Sequence, residues 1–173
     1  HTRFRNVTGV QTCALPISTQ AVLDAATKEI GYKEGTGNDN KFAAIAGHAN
    51  HQPWCATFVY AMFKTAGEAK AIPNTAYCPA IEAWARANNA VVPLSESKRG
   101  DLVLFDFDRT GRSQHVGIQA HDYNQKSAAV ISTIDGNTSS SASGSQANGD
   151  GVWRKSRPVS LVRLIVRPKW SNK

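Results

Sequence analysis

The residue pattern changes once along the chain, near Gly100, and this change limits the folds that the sequence can adopt. Before it, apolar residues recur at helical spacing, whereas after it they form short runs typical of β-strands. Helices followed by strands are typical of an α+β domain. The connections between the predicted strands are short, so we expect antiparallel pairing. We therefore predict an α+β fold in which N-terminal helices pack on an antiparallel β-sheet.

Periodicity indicates four helices followed by five strands. The helices are predicted over residues 18–30, 41–47, 53–67 and 79–88, and the strands over residues 101–107, 115–120, 128–134, 152–156 and 161–166. Pro53 suits the first position of its helix, where its missing N–H is not needed. Residues 139–151 are rich in Ser, Gly, Ala and Asn, and we predict a mobile loop there.

A cysteine opens the third predicted helix. Cys55 lies in its first turn, where unpaired N–H groups and the positive end of the helix dipole stabilise a thiolate. Phe58, Val59, Met62 and Phe63 follow at helical spacing, so this helix should be buried. A small buried core cysteine is the commoner situation. A nucleophilic role for Cys55 requires a base within hydrogen-bond reach.

Candidate partners for Cys55 occur in the second half of the chain. His115 begins a strand directly after a loop, and Asp135 and Asn137 sit at the end of the next predicted strand. In an antiparallel meander these strand ends can be neighbours. One ring nitrogen of His115 could then reach Cys55 while the other donates to Asp135, which would hold the tautomer and stabilise the imidazolium.

The remaining histidines and cysteines do not lie at strand or helix ends where a base and an acid can meet a thiol. We predict surface positions for His48, His51 and His121, with a substrate contact as the alternative for the first two. Cys78 is predicted to be a half-buried packing residue, because nothing near it in sequence supplies a base. The three cysteines, of which Cys13 is the third, suggest neither a disulfide framework nor a CxxC zinc motif.

Size and charge limit the classes of partner. The 173 residues suffice for one domain with a hydrophobic core, and no apolar run is long enough to span a bilayer. The formal net charge of +7 favours nucleic acid, anionic lipid or a phosphate-rich cell wall, or reflects only a solvated basic face. No nucleic-acid-binding motif is present. We expect a monomer that neither inserts into membranes nor binds nucleic acid.

The N-terminal segment differs from the rest of the chain. Residues 7–17 resemble the translation of a sequencing-adaptor oligonucleotide, which indicates a metagenomic assembly. We expect residues 1–17 to be a non-native leader whose deletion leaves activity unchanged, residues 18–168 to form the domain, and residues 169–173 to be a tail. Polar residues interrupt the leader too often for a signal peptide.

Four sequence blocks together resemble one known family. The blocks are Pro53–Val59, Arg99–Phe105, Gln114–Ile118 and Thr133–Thr138. They resemble the CHAP domains, which are cysteine- and histidine-dependent amidohydrolases/peptidases, and the likeness extends over about residues 20–168. The resemblance implies a papain-like fold and hydrolysis of peptidoglycan, either at the muramoyl–L-alanine amide or within the stem peptide and cross-bridge.

By motif position, the resemblance makes Cys55 the nucleophile, His115 the base and Asp135 the orienting acid, with Asn137 as a further polar site residue. Relatives commonly carry Glu at the position of Asp135, so the orienting role stays open between Asp135 and Asn137. Calcium-binding members of the family carry acidic residues ahead of the cysteine that this chain lacks. We therefore expect no metal and no cofactor.

The resemblance favours a phage endolysin that is made in the host cytoplasm and acts on the cell wall after release. The basic net charge of this chain would favour approach to anionic wall polymers. The alternatives are a tail-associated lysin, a bacterial autolysin, a non-catalytic wall-binding module, or a papain-like protease that acts on proteins.

Overall fold

The structure is a computed structural model that describes residues 17–124 and 129–171, so Cys13 and residues 1–16 of the predicted leader lie outside the described residues. Its helices and strands are α1 (Ile17–Lys28), α2 (Phe42–Ala46), α3 (Cys55–Thr65), α4 (Cys78–Ala87), β1 (Val91–Val92), β2 (Leu102–Phe105), β3 (His115–Gln119), β4 (Val130–Thr138), β5 (Gly151–Pro158) and β6 (Val162–Val166). Short 3-10 helices cover Leu94–Glu96 and Val159–Leu161. None of the described helices has the length and apolar character needed to cross a membrane.

The strands form a single antiparallel sheet in the order β1-β6-β2-β3-β4-β5. Strands β2 and β3 form a hairpin in which Phe105 pairs with His115. Strand β3 in turn pairs with β4, where Ile118 lies opposite Ile134. The α+β class and the antiparallel pairing predicted from the sequence are confirmed.

Helix α3 lies in the main hydrophobic core because it is apolar on every side. All residues from Cys55 to Phe63 are buried, as expected for a helix without a polar face. The helix packs against α1, α2, β3 and β4. This packing holds Cys55 at the start of α3 against the strands that carry His115 and Asp135.

Strand β2 contributes to two apolar clusters, one on each face of the sheet. Leu102 and Leu104 belong to the main core with α3, whereas Val103 and Phe105 pack with Ile165 in a smaller cluster. Burial on both faces explains why β2 is a continuous apolar run instead of an alternating one.

Several predicted boundaries are wrong. Helix α3 begins at Cys55 with Trp54 as its N-cap, so Pro53 precedes the helix and does not occupy its first position. Helix α4 begins at Cys78, one residue before the predicted start. Strand β4 continues past residue 134 to Thr138. Strand β1 was not predicted, because two residues are too short for a periodic pattern.

The Ser-rich segment after β4 is a loop over residues 139–150, as predicted, and it is hydrogen-bonded to the strand. Thr138 Oγ1 donates to the carbonyl of Gln146 at 2.8 Å. The Gly149 N–H donates to the carbonyl of Asn137, also at 2.8 Å. The segment therefore folds back over the end of β4, beside the predicted site residues.

Candidate active site

Cys55 is the first residue of α3 and lines an open groove. The indole N–H of Trp54, the preceding N-cap residue, donates to the carboxylate of Glu34 and fixes the entry into the helix. Only 4% of Cys55 is exposed, and that surface faces a groove of about 490 Å³. The N–H groups of the first helical turn have no intrahelical acceptor. The Cys55 N–H is therefore available to a ligand in the groove.

His115 and Asp135 form a buried hydrogen-bonded pair. His115 Nε2 lies 2.9 Å from Asp135 Oδ2, and both side chains are fully buried. The other ring nitrogen, Nδ1, is also buried and has no hydrogen-bond partner among the described residues. The ring stacks on Phe107 with 5.6 Å between centroids. Because Nε2 is held by Asp135, Nδ1 is the nitrogen that is left to interact with the Cys55 thiol.

Two glycines of the sequence motifs make room for this pair. A Cβ added to Gly117 would lie 2.0 Å from Asp135 Oδ1, so the carboxylate occupies the space that a side chain at residue 117 would fill. A Cβ added to Gly136 would lie 2.5 Å from the Cβ of Phe58. Gly136 thus allows α3 to lie directly against β4, which brings Cys55 and His115 into one site.

Asp135 and Asn137 occupy different environments, although both are fully buried. They lie at the end of β4, as predicted, where the pairing with β5 shifts register between Asp135 and Thr138. Asn137 has a left-handed backbone with φ of +56°. Its amide donates to the carbonyl of Ala147 at 3.4 Å. Of these two residues, Asp135 is therefore the one that is hydrogen-bonded to His115, and Asn137 bonds the Ser-rich segment.

Arg157 is a site residue that the sequence analysis missed. From β5 it donates two hydrogen bonds to Asp135 Oδ2, through Nε at 2.9 Å and Nη2 at 2.8 Å. Its guanidinium lies over the rings of Phe105 and Phe107, at 5.3 and 5.0 Å from their centroids. Only 4% of Arg157 is exposed. In a chain with 20 Lys and Arg residues, nothing in the sequence distinguished this arginine from a solvated basic face.

Cys78 is buried, not half-buried as predicted, and it contacts Cys55. The two sulfur atoms lie 3.6 Å apart. Cys78 is 6% exposed and starts α4 just as Cys55 starts α3. The contact joins residues 23 positions apart, and it depends on the packing of two helix starts that no local pattern reveals.

The groups around Cys55 favour a thiolate–imidazolium pair. A hydrogen bond with Cys78 lowers the pKa of Cys55, burial opposes it, and contact with His115 lowers it further, so the thiol pKa falls well below its usual value. Burial lowers the pKa of His115, but the hydrogen bond to Asp135 and the interaction with the nearby Cys55 thiol outweigh it and raise this pKa to about 8. Hydrogen bonding to Cys55 raises the pKa of Cys78 well above its usual value.

The hairpin loop between β2 and β3 forms one wall of the groove. The carboxylate of Asp106 accepts the N–H groups of Thr110 at 3.1 Å and Gly111 at 2.7 Å, as expected for a turn-forming aspartate. Arg112 donates to the phenol oxygen of Tyr77 at 2.8 Å. Ser113 donates to Glu82 of α4 at 2.6 Å. The loop is thereby tied to the segment that carries Cys78 on the opposite wall.

The three histidines predicted at the surface are not part of the His115–Asp135 pair. His48 is half-buried and hydrogen-bonded through Nδ1 to Thr57 at 2.8 Å, which makes it a packing residue and not an exposed one. His51 and His121 are exposed, as predicted. Within residues 17–124 and 129–171, no three His, Cys, Asp or Glu side chains are grouped as a metal site requires.

Comparison with known proteins identifies the fold class. No family model matches the sequence, and no curated protein matches it. Solved structures with the same fold include RipB of Mycobacterium tuberculosis, described as a peptidoglycan hydrolase, with a TM-score of 0.55 and 17% identity. The match covers 87% of this chain and 64% of RipB.

A second structure of this fold is a Staphylococcus aureus protein described as similar to a lipoprotein of the NLP/P60 family. It has a TM-score of 0.52 and 14% identity, and the match covers 91% of this chain and 43% of the staphylococcal protein. This chain thus spans less than two thirds of either relative. The papain-like α+β fold expected from the sequence is confirmed.

Proposed function

We propose that this chain is a cysteine-dependent peptidoglycan hydrolase of the CHAP type, which cleaves an amide bond of the bacterial cell wall. The proposal rests on one observation. The Cys55 thiol, at the start of α3, lines the groove and lies beside the buried His115–Asp135 pair. The thiol pKa is lowered and the imidazole pKa is raised to about 8, as a nucleophilic cysteine requires.

In the first step, the Cys55 thiolate attacks the amide carbonyl of a wall peptide bound in the groove. The Cys55 backbone N–H, at the positive end of α3, donates to the oxyanion that forms on the carbonyl oxygen. The imidazolium of His115 then protonates the leaving amine through Nδ1. Asp135, bonded to Nε2 at 2.9 Å, keeps the ring in the orientation that presents Nδ1.

In the second step, His115 acts as a general base. The neutral imidazole takes a proton from water, and the resulting hydroxide attacks the thioester carbonyl. The carboxylate product leaves, and the thiolate–imidazolium pair is restored. Asp135 stabilises the imidazolium that forms at each proton transfer.

The wall substrate is supported by three separate observations. The four CHAP-like blocks include Cys55, His115, Asp135 and Asn137. The fold is shared with RipB, itself described as a peptidoglycan hydrolase. The net charge of +7 favours approach to the anionic polymers of bacterial walls. An endolysin that acts on the wall after release is the form of this function that we favour, and a neighbouring holin gene would support it over an autolysin or a tail-associated lysin.

The test is loss of turbidity from purified cell walls with the wild type and Cys55→Ala. We expect clearing by the wild type and none by the variant, with both proteins folded by circular dichroism. Equal clearing by the two proteins would contradict a cysteine mechanism. Wall binding without clearing by the wild type would support the non-catalytic wall-binding module.

Mass spectrometry of the released fragments identifies the bond that is cut. A new free muramoyl lactyl group indicates the amidase reaction, whereas new peptide termini indicate an endopeptidase. Casein serves as a second substrate in the same assay. Cleavage of casein with intact walls would favour a protease that acts on proteins.

A further inference from the structure

Cys55 and Cys78 are a pair of thiols that share one groove. Their sulfur atoms lie 3.6 Å apart, and they are 4% and 6% exposed. Both residues line the groove, so a small solute that enters it reaches both. In the proposed hydrolytic reaction, covalent bonds to sulfur form and break only at Cys55, so Cys78 has no covalent role in it.

The separation of the two sulfur atoms is close to that of a covalent pair. A disulfide has a sulfur–sulfur length of about 2.05 Å, so the atoms need to approach by about 1.5 Å. Cys55 and Cys78 are each the first residue of their helix. They are therefore adjacent to loop segments, where a movement of this size disturbs little of the helical hydrogen bonding.

We propose that Cys55 and Cys78 form an oxidant-sensitive dithiol site, in which a peroxide oxidises Cys55 and Cys78 captures the product as a disulfide. The Cys55 thiolate attacks one peroxide oxygen, the O–O bond breaks, and the leaving hydroxide takes a proton to become water. Cys55 is then a sulfenic acid.

The second step forms the disulfide. The Cys78 sulfur attacks the Cys55 sulfur, the S–O bond breaks, and the hydroxyl leaves with the Cys78 proton as a second water. Two thiols are oxidised and one peroxide is reduced to two waters. A dithiol reductant reverses the reaction by thiol–disulfide exchange.

The environments of the two cysteines assign their roles. Cys55 is the thiol in contact with His115, and thiolate character controls the rate of attack on peroxide. Cys78 contacts Cys55 directly, with 3.6 Å between the two sulfur atoms, which suits the resolving thiol. Without Cys78, the sulfenic acid would persist and react further to the sulfinic and sulfonic acids, which thiols do not reduce.

The consequence for hydrolysis rests on the proposed function, because a disulfide at Cys55 removes the nucleophile. Protein with the disulfide would be inactive but protected from irreversible oxidation of Cys55, and reduction would restore the thiolate. The disulfide itself does not depend on the wall substrate, so its formation and the hydrolytic function fail or succeed separately.

The experiment uses hydrogen peroxide on the full chain, with mass spectrometry as the first readout. The variants are Cys13→Ser, which removes the third thiol, and Cys13→Ser with Cys78→Ala or Cys78→Ser. The two replacements at residue 78 differ in size and polarity, and melting curves identify which of them is folded. Intact mass and peptide mapping are recorded before and after dithiothreitol.

For the wild type and Cys13→Ser, we expect loss of two hydrogen atoms and a linked peptide pair containing Cys55 and Cys78. We expect dithiothreitol to reverse both changes and to restore wall clearing. The Cys78 variants should instead gain two or three oxygen atoms on Cys55 and stay inactive after reduction.

Two outcomes would overturn the proposal. One is gain of oxygen on Cys55 by Cys13→Ser at the same rate as in the Cys78 variants. The other is recovery of the Cys78 variants by dithiothreitol to the same extent as Cys13→Ser. If the wild type fails to clear walls at all but forms the linked peptides, the proposed function fails and the dithiol site stands.

Discussion

Arg157 and His115 bind the same oxygen of Asp135 from different strands. Oδ2 accepts three hydrogen bonds, two from Arg157 at 2.9 and 2.8 Å and one from His115 Nε2 at 2.9 Å. Oδ1 has no hydrogen-bond partner among the described residues. Arg157 therefore compensates the charge of the carboxylate and fixes the oxygen that orients the imidazole, without touching the groove.

Replacement of Arg157 with Met should lower kcat for wall hydrolysis and leave KM nearly unchanged. A hydrogen bond to a charged group contributes about 1.5–3 kcal/mol, so loss of the restraint on Asp135 corresponds to about a 10- to 100-fold decrease in kcat. Removal of one partner of a buried ion pair also costs about 3–5 kcal/mol of folding free energy. Initial clearing rates over a range of wall concentrations, and urea unfolding, measure the two effects.

Two variants distinguish positioning by Arg157 from a general effect of charge. Arg157→Lys keeps the cation and should restore part of kcat. Arg154→Met removes an exposed arginine from the same strand and should change neither kcat nor stability. If Arg157→Met retains wild-type kcat while it is less stable, the arginine has a structural role only.

The sequence was sufficient for the features that depend on local patterns or on motif order. The apolar spacing after Cys55 predicts α3. The order of the four CHAP-like blocks predicts that Cys55, His115 and Asp135 share one site. The contributions of Arg157 and Cys78 could not be predicted, because each depends on which side chains meet when separate elements pack. Arg157 meets Asp135 across β4 and β5, and Cys78 meets Cys55 where two helices begin.

Gly117→Ala should reduce activity more than it reduces stability. The new Cβ would lie 2.0 Å from Asp135 Oδ1 and 2.9 Å from the Cβ of Thr133, so the carboxylate has to move away from His115. Overpacking in a core costs about 1–3 kcal/mol, whereas the displaced carboxylate no longer orients the base. Wall clearing and thermal unfolding are measured on the same preparations.

Gly35→Ala is the matched control for this glycine. Its Cβ would meet only the flexible side chain of Asp39, at 3.2 Å, and residue 35 is exposed. We expect wild-type clearing and stability from this variant. Full activity of Gly117→Ala would mean that Asp135 tolerates displacement and that its geometry is less important than its charge.

Asp135→Asn should lower the clearing rate far more than Asn137→Gly does. The neutral amide that replaces the carboxylate would no longer stabilise the imidazolium, and comparable changes in catalytic triads lower turnover on the order of 10⁴-fold. Gly at residue 137 keeps the left-handed backbone at φ of +56° and removes only the weak bond to Ala147. We expect clearing by Asn137→Gly within a few-fold of the wild type, and circular dichroism checks folding. The reverse ranking would assign the orienting role to Asn137.

The clearing rate should decrease on the alkaline side near pH 8. The reactive form carries a Cys55 thiolate and a His115 imidazolium, and it is lost as pH rises through the His115 pKa of about 8. On the acid side the rate should fall only well below neutral pH, because the pKa of Cys55 is lowered. Rates at constant ionic strength on soluble wall fragments measure both limbs. A rate that stays constant from neutral to strongly alkaline pH would exclude an imidazolium in the rate-limiting step.

Cys78→Ala should change the dependence of the clearing rate on pH. The decrease on the acid side should move to higher pH, whereas the decrease on the alkaline side should stay in place. The hydrogen bond with Cys78 is the largest contribution that lowers the pKa of Cys55, and its loss makes the thiolate harder to form. The pKa of His115 depends on burial, Asp135 and Cys55, so the alkaline limb changes little. The rate of alkylation by iodoacetamide against pH gives the thiolate titration independently of the wall substrate. If both profiles coincide with the wild type, Cys78 does not stabilise the thiolate, and its contact with Cys55 has no effect on the reduced enzyme.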